Sequence, residues 1–373
     1  MQFEHTTLGQ RVLFGTGLAA THVVAETTRL SATKIMCIAS EFERGFAETA
    51  LADVQVALWH TDVVQHVPVA NAVAARAAAA EAGIDLIICV GGGSTTGLAK
   101  AVALTTGIPI IAVPTTYAGS EATNVWGMTE EATKTTGVDD RVLPVTVIYD
   151  ASLTLGLPVG LSVASGLNAL AHCVDSLWAP RADPINAALA AEGVRALAEG
   201  LPLIVADPRN ITGRETALYG AYLAAVSFAS AGSGLHHKIC HVLGGTFNLP
   251  HAETHATVLP YVLAFNAPAA PEAAARLANA IRAGLGSTAP ALLGLDAGVE
   301  AVALLNELRT QLAAPTALSD YGFTEAFIPE AVTRILAAAP ASNPTNVNES
   351  NITALLSAAL IGSAPALLSP AHV

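Results

Sequence analysis

The chain has 373 residues, room for two domains that each bury a core of their own. Hydrophobic residues make up 52% of it and charged residues 13%, which excludes general disorder and suits a densely packed enzyme. A formal net charge of -13 with no basic run excludes nucleic acid and anionic membranes as partners, so any anionic ligand must be drawn in by a local site.

The first residues, Met1-Gln-Phe-Glu-His5, lack the basic head and apolar core of a secretion signal. Up to about residue 155, short β-branched runs alternate with Ala-rich helical stretches, the pattern of a doubly wound, mostly parallel sheet with helices on both faces. Strands are expected over 34–39, 86–90, 108–113 and 145–149, and helices over 21–30, 68–82 and 95–105. The second helix opens on Pro68, a good first helical residue. Pro158 and Gly160 then punctuate the chain, and from about residue 160 helix follows helix, with breaks expected at Pro184, Pro202, Pro208, Pro250, Pro290 and Pro315. The expected organisation is a dinucleotide-binding α/β domain over 1–157 and an all-α domain over 158–373. The apolar tail 352–370 is interrupted by Ser, Gly and Pro and reads as a buried helix, not a membrane span. Cys37, Cys89, Cys173 and Cys240 show no Cys-x-x-Cys spacing and read as the reduced thiols of a cytoplasmic protein.

Two motifs point to a dinucleotide. The strand over 86–90 runs into Gly91-Gly92-Gly93-Ser94-Thr95-Thr96-Gly97 and then a helix, so backbone N–H groups and a helix N-terminus can meet a pyrophosphate closely. A second strand ends in Pro114-Thr115-Thr116-Tyr117-Ala118-Gly119-Ser120-Glu121, whose small and hydroxylated residues stand where such sheets bind ribose and nicotinamide. The strand that usually carries NAD selectivity ends Ile38-Ala39-Ser40-Glu41 with no Asp. Ser40 and Arg44 would tolerate a 2'-phosphate unless Glu41 turned inward, so NADH and NADPH are both expected to serve.

The chemistry is expected downstream, where five of the eleven histidines fall between His236 and His255. Asn168 and His172 share a helix face, as do His237 and His241, and four polar rings on apolar segments are costly to bury without partners or a task. Neutral Asn is a poor ligand for a divalent transition ion, so the cluster reads as a polar reaction site and not as a metal cage.

With these motifs placed, the chain resembles the iron-containing alcohol dehydrogenase superfamily over nearly its whole length and, within it, the maleylacetate reductase branch. The resemblance rests on the 91–100 and 114–121 segments, Ser165-Gly-Leu-Asn-Ala-Leu-Ala-His172 and Gly234-Leu-His-His-Lys-Ile-Cys-His241. It implies an NADH- or NADPH-dependent reduction of maleylacetate, a small dicarboxylate, to 3-oxoadipate in aromatic-compound degradation. The apolar composition and small number of charges favour a homodimer. The superfamily's Asp and three His metal ligands match Asn168, His172, His237 and His251, and Gly97 stands where many metal-dependent members have Asp. Both departures imply a branch that works without bound iron. His172, His237, His241 and His251 are then expected to line the reaction centre, with His237 or His241 donating to the enolate or protonating carbon. Asn168 is expected to bind substrate or orient His172, and Tyr117 to touch substrate or cofactor. His236 is a lesser candidate and His255 a helix-face residue, while Lys238 points away from His237. The competing readings are an Fe- or Zn-dependent alcohol or aldehyde dehydrogenase of the same fold, which Asn168 disfavours, and a non-catalytic sensor, which the intact phosphate turn disfavours.

Overall fold

A computed structural model of the protein describes residues 2–130, 133–292 and 294–365. In chain order its strands and helices begin β1 (Arg11–Phe14), α1 (Ala19–Arg29), β2 (Ile35–Ile38), α2 (Arg44–Ala50), β3 (Val56–His60), α3 (Val69–Ala82), β4 (Leu86–Gly91), α4 (Gly93–Thr106) and β5 (Ile110–Pro114). A hairpin of β6 (Val125–Glu130) and β7 (Thr133–Val138) and the strand β8 (Thr146–Tyr149) follow. Then come α5 (Val159–Ser176), α6 (Pro184–Ala206), α7 (Ile211–Ala231), α8 (Leu235–Phe247), α9 (His251–Asn266), α10 (Pro271–Leu285), α11 (Ala297–Gln311), α12 (Ile328–Ala338) and α13 (Glu349–Ile361).

The chain divides into two compact units, one of them Leu8–Leu157. Its six-stranded sheet runs β1-β8-β5-β4-β2-β3 with every pairing parallel. β4 is buried along its whole length, as a central strand covered on both faces must be. Alternation along the strands sorts the core. Met36, Ile38, Ile87, Cys89, Ile110 and Ala112 face a cluster with α3 and α4, while Cys37, Ile88, Val90, Ile111 and Val113 face one with α1 and α2. Burying each such Ile or Val contributes about 1.5–3 kcal/mol. α3 and α4 both stop on glycines with left-handed backbone, Gly83 at φ 64° and Gly107 at φ 70°, which returns the chain to the sheet.

Strands β1 and β3 and the β6–β7 hairpin are absent from the sequence expectations. β1 and β3 are half-buried edge strands of four and five residues, too short for a clear period. In the antiparallel hairpin Trp126 lies opposite Gly137, whose missing side chain leaves room for the indole.

The second unit is helical and gathers the chain from Pro158 on, together with the residues before Leu8. The N-terminal segment therefore departs from the expected 1–157 boundary. Its His5 Nδ1 lies 3.0 Å from Asp183, the residue that caps α6. α5 is buried on nearly every side, and α6 and α7 approach through paired glycines. A Cβ on Gly200 would lie 2.8 Å from the Gly213 carbonyl, and one on Gly220 would lie 3.0 Å from that of Gly193. Pro202 does not end its helix as expected: α6 runs through it, held by burial among its neighbours at Leu201 and Ile204. A further core joins Leu235, Ile239, Val258, Val262, Phe265, Ile335 and Leu356 from α8, α9, α12 and α13. The tail expected to be a buried helix is α13 as far as Ile361, with residues 366–370 outside the described part. All four cysteines are free and buried, and no helix among the described residues is long and apolar enough to cross a membrane.

Candidate active site

The phosphate turn forms where β4 hands over to α4. Gly92 is the N-cap of α4, and Gly91 sits at φ +156°, a conformation L side chains rarely adopt. A Cβ on Gly91 would come within 2.5 Å of the Glu43 carboxylate and the Thr95 hydroxyl, and one on Gly92 within 3.0 Å of Thr116. Gly93 and Ser94 open α4, and the Thr115 N–H donates to the Gly91 carbonyl at 3.1 Å, tying the two motifs together. Tyr117 is fully buried in the same unit.

Selectivity residues differ from expectation. Glu41 is exposed, and Glu43 turns inward in its place. Arg44 bonds Glu48 at 2.8 Å and lies 3.7 Å over the Trp59 ring, so its guanidinium is already engaged. Lys100 is buried and donates to the carbonyls of Ser120, Thr123 and Val125 at 2.6–2.8 Å, which makes it a staple of the loop.

In the helical unit, α5 supplies Asn168 and His172 one turn apart, α8 supplies His236, His237 and His241, and α9 supplies His251 and His255. The expected histidines come together, and His255 joins them. Ring centroids are 4.7 Å apart for His172 and His237, 6.1 Å for His237 and His241, and 4.4 Å for His251 and His255. His255 also lies 4.8 Å from His237 and 4.9 Å from His236, so it is part of the cluster's floor and not a helix-face residue. Phe228 packs against His172 and His237 at 4.7 and 4.3 Å, closing one side with an apolar ring.

Asp175, one turn beyond His172, is the residue the sequence did not announce. Its Oδ2 lies 2.7 Å from His237 Nδ1 and accepts from the backbone N–H groups of Gly234 and His237 at 3.1 Å. An oxygen that already accepts two N–H bonds calls for an N–H on the ring, so Nδ1 carries the proton and Nε2 presents a lone pair. Gly234 is required here, because a Cβ would lie 2.5 Å from the same carboxylate. Burial raises Asp175 to about 7, against the donors that favour its ion. Burial also lowers His172 to about 3 and His236 to about 4, and holds His237 and His255 well below the usual range. These four imidazoles are neutral at pH 7, whereas His241 and His251 are half-exposed. With Nδ1 protonated, His237 has an acceptor and not a donor at Nε2.

Comparison with known proteins agrees with the fold. Residues 9–151 match the family "Iron-containing alcohol dehydrogenase" and 162–360 match "Fe-containing alcohol dehydrogenase family, C-terminal". The chain belongs to the iron-containing alcohol dehydrogenase family. It is 42% identical to a maleylacetate reductase of Sphingobium indicum over 98% of this chain and 99% of that one. Among solved structures, an iron-containing alcohol dehydrogenase from Corynebacterium glutamicum is 60% identical, with a TM-score of 0.92 and 99% of both chains covered. The maleylacetate reductase of Rhizobium sp. strain MTP-10005 is 40% identical, with a TM-score of 0.87, 98% of this chain and all 100% of that one covered.

The family name implies a metal, and the residues at its positions do not fit one. Asn168 brings a neutral amide where an anionic oxygen is needed. His172 and His237 are stacked with 18° between their planes, whereas an ion bonded to both must lie near both ring planes at once. Apart from that set, His236, His237 and His255 offer ring nitrogens within 4.8 Å of one another, a group that could hold an ion but includes only His237 of the family's positions.

Proposed function

We propose that the protein reduces the C=C bond of maleylacetate to 3-oxoadipate with a hydride from NADH or NADPH and without a metal. The observation that carries this reading is the cluster of buried, neutral imidazoles that includes His172 and His237, with His237 pinned by Asp175. Full-length similarity to a maleylacetate reductase supports the substrate. The N-terminal unit holds the nucleotide at the Gly91–Gly93 turn, where Gly92, Gly93, Ser94, Thr95, Thr115 and Thr116 surround the start of α4.

Conjugation explains why imidazoles suffice. Hydride adds to the alkene carbon β to the ketone, the electron pair moves onto the ketone oxygen as an enolate, and a proton then returns to the α carbon. An enolate is stabilised by hydrogen-bond donors and resolved by one proton, whereas an unactivated carbonyl benefits from a Lewis acid. His241 supplies the proton, Asn168 offers its amide to the substrate or to His172, and His172 and His251 complete the polar wall.

The test is NADH oxidation with freshly prepared maleylacetate beside a panel of simple aldehydes and ketones. Stoichiometric formation of 3-oxoadipate, with turnover on the panel lower by orders of magnitude, is expected. Preferred turnover of an aldehyde would replace this reading with the alcohol dehydrogenase one.

A further inference from the structure

Three buried rings, His236 and His237 on α8 and His255 on α9, form a triangle of their own. The centroids of His236 and His237 are 5.1 Å apart, those of His236 and His255 4.9 Å, and those of His237 and His255 4.8 Å. Their planes meet at 78°, 65° and 59° in the same order, and none of the three residues is more than 2% exposed. Hydrogen bonds assign two of the lone pairs. His237 Nδ1 donates to Asp175 at 2.7 Å, leaving its acceptor at Nε2, and His236 Nε2 donates to the His255 carbonyl at 3.1 Å, leaving its acceptor at Nδ1. Neither of these acceptors, nor either nitrogen of His255, has a hydrogen-bond partner among the described residues. Lone pairs buried without a donor are costly, and a cation shared by the three rings resolves them together.

We propose that His236 Nδ1, His237 Nε2 and one ring nitrogen of His255 form a zinc site. Zinc holds imidazole nitrogens tetrahedrally at about 2.0–2.1 Å, which sets the ring centroids about 5 Å apart. The triangle has that spacing already. Its ring nitrogens, within 4.8 Å of one another, reach the separation of about 3.3 Å in a tetrahedral site by rotation of the rings, without movement of α8 against α9. Two of the ligands also carry the outer partners that metal-bound histidines use: the Asp175 carboxylate behind His237 and a backbone carbonyl behind His236. Asp175 supplies negative charge next to an ion whose direct protein ligands are all neutral. Nitrogen donors alone suit zinc and exclude calcium and magnesium, which take oxygen. The site shares only His237 with the family's metal positions, and its rings are inclined where His172 and His237 are stacked. Zinc held here takes no part in the reduction proposed above, and without an anionic ligand it comes away in chelator.

Titration calorimetry of zinc chloride into the chelator-treated, full-length protein, with anomalous diffraction from zinc-soaked crystals of the wild type, tests this. One zinc per chain is expected, with an anomalous peak bonded to His236, His237 and His255. His255→Ala should weaken zinc binding by about 10-fold or more, and His251→Ala should leave it unchanged. The diffraction experiment needs no variant, so it decides the matter even if His255→Ala fails to fold. A peak bonded to His172 and His251 would overturn the assignment, as would affinity lost in His251→Ala and kept in a folded His255→Ala. Zinc at surface positions only, or no zinc bound, would overturn it as well.

Discussion

Asp175 fixes the tautomer of His237 through a 2.7 Å contact with Nδ1. Asp175→Asn keeps the shape of the side chain and weakens the acceptor, and a fall in kcat of about 10–100-fold is expected with the NADH KM unchanged. An equal loss in both constants would mark Asp175 as a general stabiliser. His241→Ala should lower kcat by about 10²-fold or more, the usual scale for a general acid, with the circular dichroism spectrum preserved. Near-full turnover would move the proton donor elsewhere. At this scale the sequence shows residue types and helical spacing, enough to mark the histidines 172, 237, 241 and 251 whose rings the structure gathers. Asp175 and Glu43 escaped because their roles depend on contacts 59 and 49 residues away, with Gly234 and Gly92, which no local pattern encodes. His255 escaped because its position on α9 points inward only once α8 packs against it.

The β4–α4 turn makes a graded series of its three glycines. Gly91→Ala combines a rare backbone angle with a Cβ 2.5 Å from Glu43 and Thr95, whereas a Cβ on Gly93 meets Ala118 at an ordinary 3.5 Å. Gly91→Ala should lower stability by about 1–3 kcal/mol and weaken NADH binding, while Gly93→Ala should fold like the wild type. Thermal melts and fluorescence titration check the order, and equal effects would show that the turn is not packed as described. The same turn explains why the sheet was legible: buried runs such as Leu86–Gly91 are continuous and end in glycine. β1 and β3 were not, because edge strands of four and five residues carry neither a full period nor a bounding turn signal.

For the whole molecule, burying neutral imidazoles ties stability to pH. His172 at about 3, His236 at about 4, and His237 and His255 well below the ordinary 6.5 all take up protons more readily in the unfolded chain. Their contribution is complete above about pH 6.5 and is lost as the pH falls toward the folded values, by about 1.4 kcal/mol per pH unit for each group. Asp175, raised to about 7, acts in the opposite sense: its contribution is complete below about pH 4 and is lost as the pH rises toward 7. One group opposes four, so the melting temperature should fall steeply between pH 6.5 and 5, and less steeply in His236→Gln. A flat profile would mean that the rings are solvated.

In the proposed function, imidazoles take the place that the family name gives to a metal. Metal content and maleylacetate reduction, measured together with and without chelator on the wild type and on Asn168→Asp, test it most directly. The wild type should hold substoichiometric metal and keep its full rate in chelator. Asn168→Asp, regaining an anionic ligand, should bind Zn²⁺ or Fe²⁺ more tightly and reduce maleylacetate more slowly. Stoichiometric metal in the wild type, with activity lost on chelation and recovered on adding iron or zinc, would contradict it.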